Sequence, residues 1–277
     1  MARALGIDVG SVATKVVVLS ADQPLSWFEE PTRPDIAAHC EALLRRAGAV
    51  DSICATGYGR NLLEQTELHI NEIIADALGA GWMQKRWSRL EHFFDAPPEP
   101  RRLGEGARTI VDIGGQDTKV ITLDKDGLIR DFAMNDRCAA GTGRFLEVMA
   151  SALEVDVGGL GRLAVGTERA APISSTCTVF AESEVVSLLA EGAQAAEVAA
   201  GVFESIAEQS AGLAERCVWA PPVLLVGGPS RSTALQGALA RRFGCELLVP
   251  PLGQYAAAIG AALAAANPNL SRRLTHG

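Results

Sequence analysis

The chain has 277 residues, of which 48% are hydrophobic and 21% charged, and its formal net charge is −8. This composition is typical of a folded protein, and the length allows two modest domains or one large one. An acidic chain without a cluster of lysines and arginines is a poor ligand for nucleic acid, so we expect no nucleic-acid partner.

The start of the chain predicts a protein without a signal peptide, because MARALGIDVG runs straight into a strand pattern. The longest apolar stretch, residues 256–266, is too short and too small-sided to span a bilayer. We therefore expect a cytoplasmic protein with no membrane partner. In that compartment the six cysteines are not expected to form disulfides, and the ordinary expectation for each is a buried small side chain.

The first predicted element is a β-hairpin over Ile7–Leu19, IDVGSVATKVVVL. It reads as a strand, a tight glycine turn and a second strand, with Asp8 near the end of the first strand. Backbone N–H groups in such turns bind phosphate oxygens, because a glycine allows close approach.

Residues 84–108, QKRWSRLEHFFDAPPEPRRLGEGAR, are charged and contain three prolines. We predict a linker or surface excursion here. A partner-binding segment is the alternative.

The hairpin recurs at Val111–Leu123, VDIGGQDTKVITL, which aligns with the first copy without gaps and lies 104 residues later. The identical pairs are Asp8/Asp112, Gly10/Gly114, Thr14/Thr118, Lys15/Lys119, Val16/Val120 and Leu19/Leu123. The repeat predicts two halves of like construction that face one cleft. We assign residues 1–105 together with 250–277 to the first half, and residues 106–249 to the second.

Two facing hairpins predict a site for a nucleotide and Mg²⁺. Asp8 and Asp112 are the expected Mg²⁺ carboxylates, acting through water, because this hard cation prefers oxygen ligands and keeps its waters. The residues expected to hold the phosphates are Gly10, Ser11, Val12, Ala13, Thr14, Lys15, Gly114, Gly115 and Gln116. Either Gln116 or Asp117 is placed to orient the attacking water. For Lys119 we expect a solvent-exposed position on a strand.

Two cysteines each precede a helical pattern: Cys138 in NDRCAAGTGRFLEVMA and Cys177 in SSTCTVFAESEVVS. A cysteine at a helix N-terminus faces the positive end of the helix dipole, which favours the thiolate. Three interpretations follow: half of an iron–sulfur cluster site completed by a symmetry mate, half of a zinc site, or two unligated thiols. Glu182 and Glu184 come shortly after Cys177, and complementarity to the helix dipole explains them as well as catalysis does.

A third glycine turn lies in Pro221–Ser232, PPVLLVGGPSRS, where a buried strand ends at Gly227-Gly228. A glycine pair at the end of a strand lets an adenosine lie against the backbone. The closing segment PPLGQYAAAIGAALAAA predicts a small-residue helix with Gln254 near its start. We assign Gly227, Gly228 and Gln254 to the adenosine side of the cleft.

The sequence resembles the activators of 2-hydroxyacyl-CoA dehydratases and the ATPase subunits of benzoyl-CoA reductase, a branch of the actin, sugar-kinase and Hsp70-type ATPases. The matching stretches are GIDVGSVATK, ATGYGRN, VDIGGQDTKVI, NDRCAAGTGRFLEVMA, SSTCTVFAESEVVS, VGG and PLGQYAAAIGAAL, and they span nearly the whole chain. The two cysteine motifs are specific to this branch. In the family the third turn often continues Gly-Gly-Val-Ala, whereas here it continues Gly228-Pro229-Ser230-Arg231.

The resemblance implies an α/β fold, a duplicated actin-like (ribonuclease H-like) ATPase fold with two halves around a nucleotide cleft. It also implies ATP/ADP, Mg²⁺ and one [4Fe–4S] cluster per homodimer, held by Cys138 and Cys177 of both subunits. The implied activity is ATP-driven transfer of one low-potential electron to a dehydratase or reductase that acts on a CoA ester. A ferredoxin or flavodoxin is the implied upstream donor.

Two alternatives stay open at this point. One is a sugar or acyl-group kinase of the same fold without a cluster, for which Asp117 is the available catalytic carboxylate. The other is a nucleotide-gated assembly module with no redox activity.

Overall fold

The first hairpin opens a five-stranded sheet. Its strands, in a computed structural model of the chain, are β1 (Arg3–Val9), β2 (Ala13–Ser20), β3 (Gln23–Pro31), β4 (Ser52–Thr56) and β5 (Leu68–His69). Their order across the sheet is β3-β2-β1-β4-β5. The hairpin pairs are antiparallel, whereas β4 runs parallel to β1 and β5 runs parallel to β4.

The second hairpin opens a sheet with the same topology. Its strands are β6 (Thr109–Ile113), β7 (Thr118–Leu123), β8 (Ile129–Asn135), β9 (Val223–Val226) and β10 (Leu247–Leu248). Their order is β10-β9-β6-β7-β8, so each strand has a counterpart at the equivalent place in the first sheet. The hairpin registers also match, since Asp8 faces Lys15 across β1 and β2 while Asp112 faces Lys119 across β6 and β7. The predicted duplication is therefore confirmed at the level of strand pairing.

The structure describes residues 2–21, 23–63, 65–66, 68–90, 106–136, 139–167, 169–173 and 177–270. Its helices are α1 (Ile36–Ala47), α2 (Glu72–Leu90), α3 (Gly143–Ala152), α4 (Val157–Ala164), α5 (Thr178–Ala190), α6 (Ala195–Ala214), α7 (Thr233–Phe243) and α8 (Ala256–Ala266). Short 3₁₀ turns span Arg60–Leu62, Gly228–Arg231 and Gly253–Tyr255. Among these described helices, none combines the length and the apolar character that a membrane span needs.

The predicted linker at residues 84–108 is wrong over its first part. Helix α2 continues through residues 84–90, because Gln, Lys and Arg are good helix formers and the prolines begin only at Pro97. Gln84 is also tied to the far side of the segment, since its Oε1 accepts a hydrogen bond from Ala107 N at 2.8 Å. Residues 91–105 lie outside the described residues.

Helices α2 and α8 lie where the two sheets meet. One buried apolar cluster contains Val17 of β2, Ile121 of β7, Leu224 of β9, Met83 of α2 and Ile259 of α8, so it joins both sheets to both helices. A second cluster packs α3, α4, α6 and α7 on the second sheet around Phe145 and Phe203. The proposed boundaries between the two halves, at 105/106 and 249/250, stay a prediction.

The contact between α2 and α8 depends on glycine. A Cβ added at Gly79 of α2 would lie 2.0 Å from the Ala256 carbonyl oxygen, and one at Gly260 of α8 would lie 1.8 Å from that of Ala75. The two backbones therefore touch, and the small-residue helix predicted at the end of the chain has a packing reason. Alanines and glycines in α8 let it lie against both α2 and β1.

Substituting two glycines of α2 tests this packing. We expect Gly79→Ala to destabilise the protein by about 2 kcal/mol or more, because neither backbone can move away cheaply. Gly81→Ala is the matched control two residues along the same helix, where an added Cβ meets nothing within 4 Å. It should be neutral or stabilising by up to about 1 kcal/mol through helix propensity. Denaturant unfolding of both variants measures the difference, and equal stabilities would contradict the close contact.

Candidate functional site

A cleft of about 970 Å³ lies between the two hairpin turns. Almost all the residues assigned to the nucleotide and to Mg²⁺ line it: Asp8, Gly10, Ser11, Val12, Ala13, Lys15, Asp112, Gly114, Gly115, Gln116, Asp117, Gly227, Gly228 and Gln254. Thr14 does not line the cleft, because it is fully buried and its hydroxyl pairs with that of Thr32 at 2.9 Å. Thr14 therefore supports the first glycine turn from its buried side.

Two carboxylates stand at the ends of equivalent strands on either side of the cleft. Asp8 is the penultimate residue of β1 and Asp112 that of β6, and each residue is 8% exposed. A second strand in each sheet ends beside its carboxylate with a glycine at φ +90°, Gly57 after β4 and Gly227 after β9. A Cβ would lie 2.7 Å from Asp8 Oδ1 at Gly57 and 2.5 Å from Asp112 Oδ1 at Gly227. Both positions therefore require glycine.

The role of Gly57 was missed in the sequence, although a signal existed. ATGYGRN follows a strand as VGGPSRS does, and each segment leads from its glycine into a 3₁₀ turn. The two turns are counterparts in the duplicated fold, so the repeat extends beyond the hairpins.

Lys15 pairs with the carboxylate of its own hairpin. Its Nζ lies 3.2 Å from Asp8 Oδ2, and Glu29 faces it on β3. Burial disfavours the charged form, but the attraction of Asp8, Asp112 and Glu29 more than offsets this and raises the pKa of Lys15. Lys15 is therefore a fixed positive charge beside the first phosphate turn.

The expectation that Lys119 is exposed to solvent is wrong. The residue is only 2% exposed, and its Nζ lies 3.0 Å from Asp112 Oδ2, 2.8 Å from Glu72 Oε2 and 2.5 Å from Asp117 Oδ2. Lys119 is buried because strand β7 lies between β6 and β8 in its sheet. Helix α2 places the carboxylate of Glu72, from a distant part of the sequence, beside it. Burial opposes the charge of Lys119, but Asp112 and Asp117, with Asp76 and Glu72, raise its pKa well above the ordinary value.

Helix α2 contributes two acidic residues to the cleft that the sequence analysis did not assign. Glu72 and Asp76 stand four residues apart, on one face of the helix. Burial raises the pKa of Glu72 to about 7, with Lys119 opposing and Asp117 adding to the rise. Asp76 is 1% exposed, and its Oδ2 has no hydrogen-bond partner among the described residues. Burial first, then Asp112, raises its pKa well above the ordinary value.

The donor set suits a hard cation held through water. Asp8 and Asp112 present carboxylate oxygens to the same cleft from opposite sides, as Mg²⁺ prefers. No group of three or more His, Cys, Asp or Glu side chains within the described ranges is arranged to hold a metal by itself. Two carboxylates with waters and phosphate oxygens completing the shell fit this arrangement.

The two glycine turns face each other across the cleft. A Cβ at Gly115 would lie 2.7 Å from Val12 Cγ2, so the second turn touches the first. Asp117 closes the second turn, because its carbonyl oxygen accepts a hydrogen bond from Gly114 N at 2.9 Å. Its side chain spans from Lys119 to the backbone of Gly114, and it therefore braces the turn.

Helix α3 begins directly on the second phosphate turn. The N–H groups of Gly143 and Arg144 donate to the carbonyl oxygens of Gly114 and Gly115 at 2.9 and 2.8 Å. Below them the Thr118 hydroxyl donates to the Gly141 carbonyl at 2.8 Å. The segment Gly141–Gly143 thus attaches α3 to the second glycine turn. Cys138, just before it, lies outside the described residues.

Cys177 is the N-cap residue of α5, which confirms that it precedes a helix. Cys177 is half-buried and lies outside the nucleotide cleft. Helix α5, which follows it, packs against α3. The next two apolar residues, Val179 and Phe180, are 68% and 69% exposed. Glu182, one turn further on, is exposed. Two exposed apolar side chains therefore follow the thiol in the first turn of α5.

The four other described cysteines are buried or half-buried, close to the expectation that each is a buried small side chain. Cys40, Cys54 and Cys217 are buried and Cys245 is half-buried. Burial raises the pKa of the Cys40 thiol to about 11 and that of Cys54 to about 12. These thiols are poor nucleophiles and poor metal ligands.

The nucleoside side of the cleft combines predicted and unpredicted residues. Gly227 N donates to the Gly253 carbonyl at 3.1 Å, which places the third glycine turn beside Gln254. Helix α4 lines the same end of the cleft with Gly158, Gly161 and Arg162, none of which the sequence analysis assigned. Their signal was weak because α4 carries no recognisable nucleotide motif.

Two sheets of one topology, with facing glycine turns and a carboxylate in each, define an actin-like ATPase fold. A model of the BadF/BadG/BcrA/BcrD ATPase family matches residues 100–265, and the chain belongs to this family. It is 38% identical over 269 residues to the 2-hydroxyisocaproyl-CoA dehydratase activator of Clostridioides difficile, covering 94% of this chain and 93% of the relative. The predicted family and fold class are thus confirmed, and the chain is an ATPase.

Solved structures agree with this assignment. Component A of the (R)-2-hydroxyglutaryl-CoA dehydratase of Acidaminococcus fermentans superposes with a TM-score of 0.82 at 35% identity, covering 100% of both chains. The activator of the 2-hydroxyisocaproyl-CoA dehydratase of Clostridium difficile, with bound ADPNP, gives a TM-score of 0.81 at 36% identity, covering 99% of this chain and 98% of that one.

The buried carboxyl of Asp76 generates a prediction on stability. The folded protein holds its proton at a pH where the unfolded chain has released it, so the stability that the protonated group contributes is full below about pH 4 and declines as the pH rises. Asn has the shape of the protonated acid and no charge to bury. We therefore expect Asp76→Asn to raise the thermal midpoint more at pH 8 than at pH 4.5, in protein free of metal and nucleotide.

Thermal unfolding at both pH values in EDTA is the measurement. Asp126→Asn, at an exposed turn residue, is the matched control and should change the midpoint little at either pH. An Asp76→Asn midpoint that drops below that of the natural chain at pH 8 would show that the carboxylate is charged and satisfied.

Proposed function

We propose that the protein is an ATP-dependent activator, which uses ATP hydrolysis to deliver one low-potential electron to a CoA-ester dehydratase or reductase. The observation that carries this proposal is the mount of α3 on the second phosphate turn. It connects the segment after Cys138 to the atoms that would hold the phosphates of ATP. The names of the relatives, which are dehydratase activators, support the same activity.

Cys138 and Cys177 are the proposed protein ligands of a [4Fe–4S] cluster, which supplies a one-electron redox centre when bound. Two thiolates from one chain are half the number such a cluster needs, so a two-fold axis completes the set and the protein is a homodimer. The exposed Val179 and Phe180 support an interface at this place, since large apolar side chains beside a ligand favour contact with a second copy.

The N-cap position of Cys177 suits an anionic ligand. The free N–H groups and the positive end of the dipole of α5 lie beside its N-cap residue, so they would stabilise an anionic ligand bound there. None of the four remaining cysteines is the N-cap residue of a described helix, and burial raises the pKa of each of these thiols. The choice of Cys177 among the described thiols therefore has a physical basis beyond the resemblance.

Asp8 and Asp112 are the proposed carboxylates for Mg²⁺, which neutralises phosphate charge when bound. The backbone of Gly10–Lys15 and of Gly114–Gln116 wraps the phosphates, and Lys15 adds positive charge from the side of β2. Gly227, Gly228 and Gln254 hold the adenosine. When the terminal phosphate leaves, the second turn changes its contacts and α3 moves with it.

The proposed partners are a dehydratase or reductase acting on a CoA thioester and an upstream donor such as ferredoxin or flavodoxin. The proposal includes a cytoplasmic location, where cysteine thiols remain reduced. It excludes nucleic acid, in agreement with the net charge of −8.

Replacing Cys177 tests the cluster. Anaerobically purified natural protein should contain about four irons and four sulfides per dimer, and Cys177→Ser should lose most of both because one ligand of each subunit is removed. Cys245→Ser, at a half-buried thiol away from the cleft, should keep its iron. Iron and sulfide analysis with the mass of the oligomer decides the matter. Natural protein without iron, or iron retained in Cys177→Ser, would contradict the assignment.

Replacing Thr118 tests the coupling. Thr118→Val keeps the shape of the side chain and removes the hydrogen bond to Gly141, so the turn and α3 should move less closely together. We expect fewer electrons transferred per ATP hydrolysed, with ATP hydrolysis largely retained. Thr118→Ser keeps the hydroxyl and should keep the natural ratio. The ratio is measured by reduction of an artificial low-potential acceptor alongside phosphate release, and an unchanged ratio in Thr118→Val would argue against this path.

A further inference from the structure

Glu72 is a carboxylate in the nucleotide cleft to which no function has been assigned so far. It is the first residue of α2, it lines the cleft, and its side chain is 22% exposed. Its Oε2 pairs with Lys119 Nζ at 2.8 Å. Within the described part of the chain, no hydrogen bond or ion pair uses its other oxygen, Oε1. Glu72 is therefore held in place by one oxygen and has the other available.

The two residues that the sequence offered for orienting the attacking water are poorly suited to take its proton. Asp117 braces its turn, with Oδ2 on Lys119 and Oδ1 against the backbone of Gly114. Gln116 is exposed, and an amide does not accept a proton at neutral pH. Its place in the turn suits it for contact with the phosphate and the water.

The other carboxylates of the cleft are also committed. Asp8 and Asp112 face Mg²⁺ in the proposed site, and each is paired with the lysine of its own hairpin. Asp76 also lines the cleft, but it is only 1% exposed, whereas the side chain of Glu72 is 22% exposed. Glu72 thus combines access to the cleft, an anchoring contact and an oxygen without a protein partner.

We propose that Glu72 is the catalytic base of ATP hydrolysis. A water molecule between Oε1 of Glu72 and the terminal phosphorus gives its proton to the carboxylate as its oxygen forms the new P–O bond. The bond from that phosphorus to the oxygen bridging it to ADP breaks, and ADP leaves with the bonding electron pair. The proton then passes to solvent at the cleft mouth, which restores the carboxylate. The proposal rests on the ATPase activity of the chain.

The charged surroundings agree with this role. Glu72 faces Lys119 of β7, Asp117 of the second turn and Asp8 of β1, and Asp76 follows it on α2. Burial, opposed by Lys119 and reinforced by the acidic neighbours, raises the pKa of Glu72 to about 7. A base with a pKa near the working pH combines a useful ionised fraction with real proton affinity.

Substitution of Glu72 by Gln is the direct test, made on the full-length protein with Mg·ATP. We expect the rate of ATP cleavage in a single turnover to fall by about 100-fold or more, the usual effect of removing a general base. Binding of Mg·ADPNP should stay within about threefold of natural, since Gln keeps the shape and a neutral contact to Lys119. Glu72→Asp keeps a carboxylate at a shorter reach and should recover part of the rate. Glu41→Gln, at an exposed residue of α1, is the control for a lost glutamate.

The pH profile separates catalysis from a structural role. The cleavage rate of the natural protein should rise with pH and level off above about pH 7, as Glu72 ionises. The Glu72→Gln profile should be flat over this range. A Glu72→Gln rate within threefold of natural, or a low rate that keeps the natural pH profile, would overturn the proposal. Natural protein that cleaves no ATP would instead overturn the ATPase activity on which the proposal rests.

Discussion

The ammonium group of Lys119 is the contact on which the nucleotide side of the structure depends. It joins the carboxylate at the end of β6, the residue that braces the second phosphate turn and the first residue of α2. Three elements from distant parts of the chain are therefore fixed relative to one another by one buried charge. Leaving such carboxylates without their cation costs on the order of 3–5 kcal/mol, so the arrangement is rigid unless a ligand changes the charges around it.

In the proposed function, a nucleotide with Mg²⁺ is such a ligand. It would add negative phosphate and positive metal among Asp8, Asp112 and Asp117, and it would therefore change the ion pairs of Lys119 and Lys15. The second turn carries the change to α3 through the carbonyl groups of Gly114 and Gly115, which hold the first N–H groups of that helix. In the proposed function this is the route by which phosphate chemistry reaches the cysteine segment.

The duplicated hairpins were predictable because both their sequence pattern and their glycine turns are local. The pairing of each strand aspartate with its own lysine follows from the hairpin register, and the N-cap position of Cys177 follows from the helical pattern behind it. Glu72, by contrast, reaches Lys119 only through packing of α2 against the second sheet. No local pattern indicates that contact, and the error on Lys119 came from treating β7 as an exposed strand.

The helix that extends through residues 84–90 is a second example of structure that the local sequence pattern did not predict. Charge and nearby prolines indicated a linker, yet local helix propensity and the packing of Trp82 and Met83 continue α2 through the charged residues. The sequence also did not predict that α4 lines the nucleoside end of the cleft. A glycine that contacts a ligand cannot be told from any other glycine by sequence alone. What was predictable depended on repeats and turns, and what was not depended on contacts between helices and distant strands.

Hydrogen exchange of the first amides of α3 tests the central claim, that the phosphate turn and the cysteine segment move together. Exchange at Gly143 and Arg144 would be measured with Mg·ADPNP, with ADP and without nucleotide, using α1 (Ile36–Ala47), which does not line the cleft, as an internal reference. The account predicts that exchange at these two amides differs between ADPNP and ADP while the reference is unchanged. Equal exchange in all states, together with protection of the turn Gly114–Asp117 by nucleotide, would contradict it.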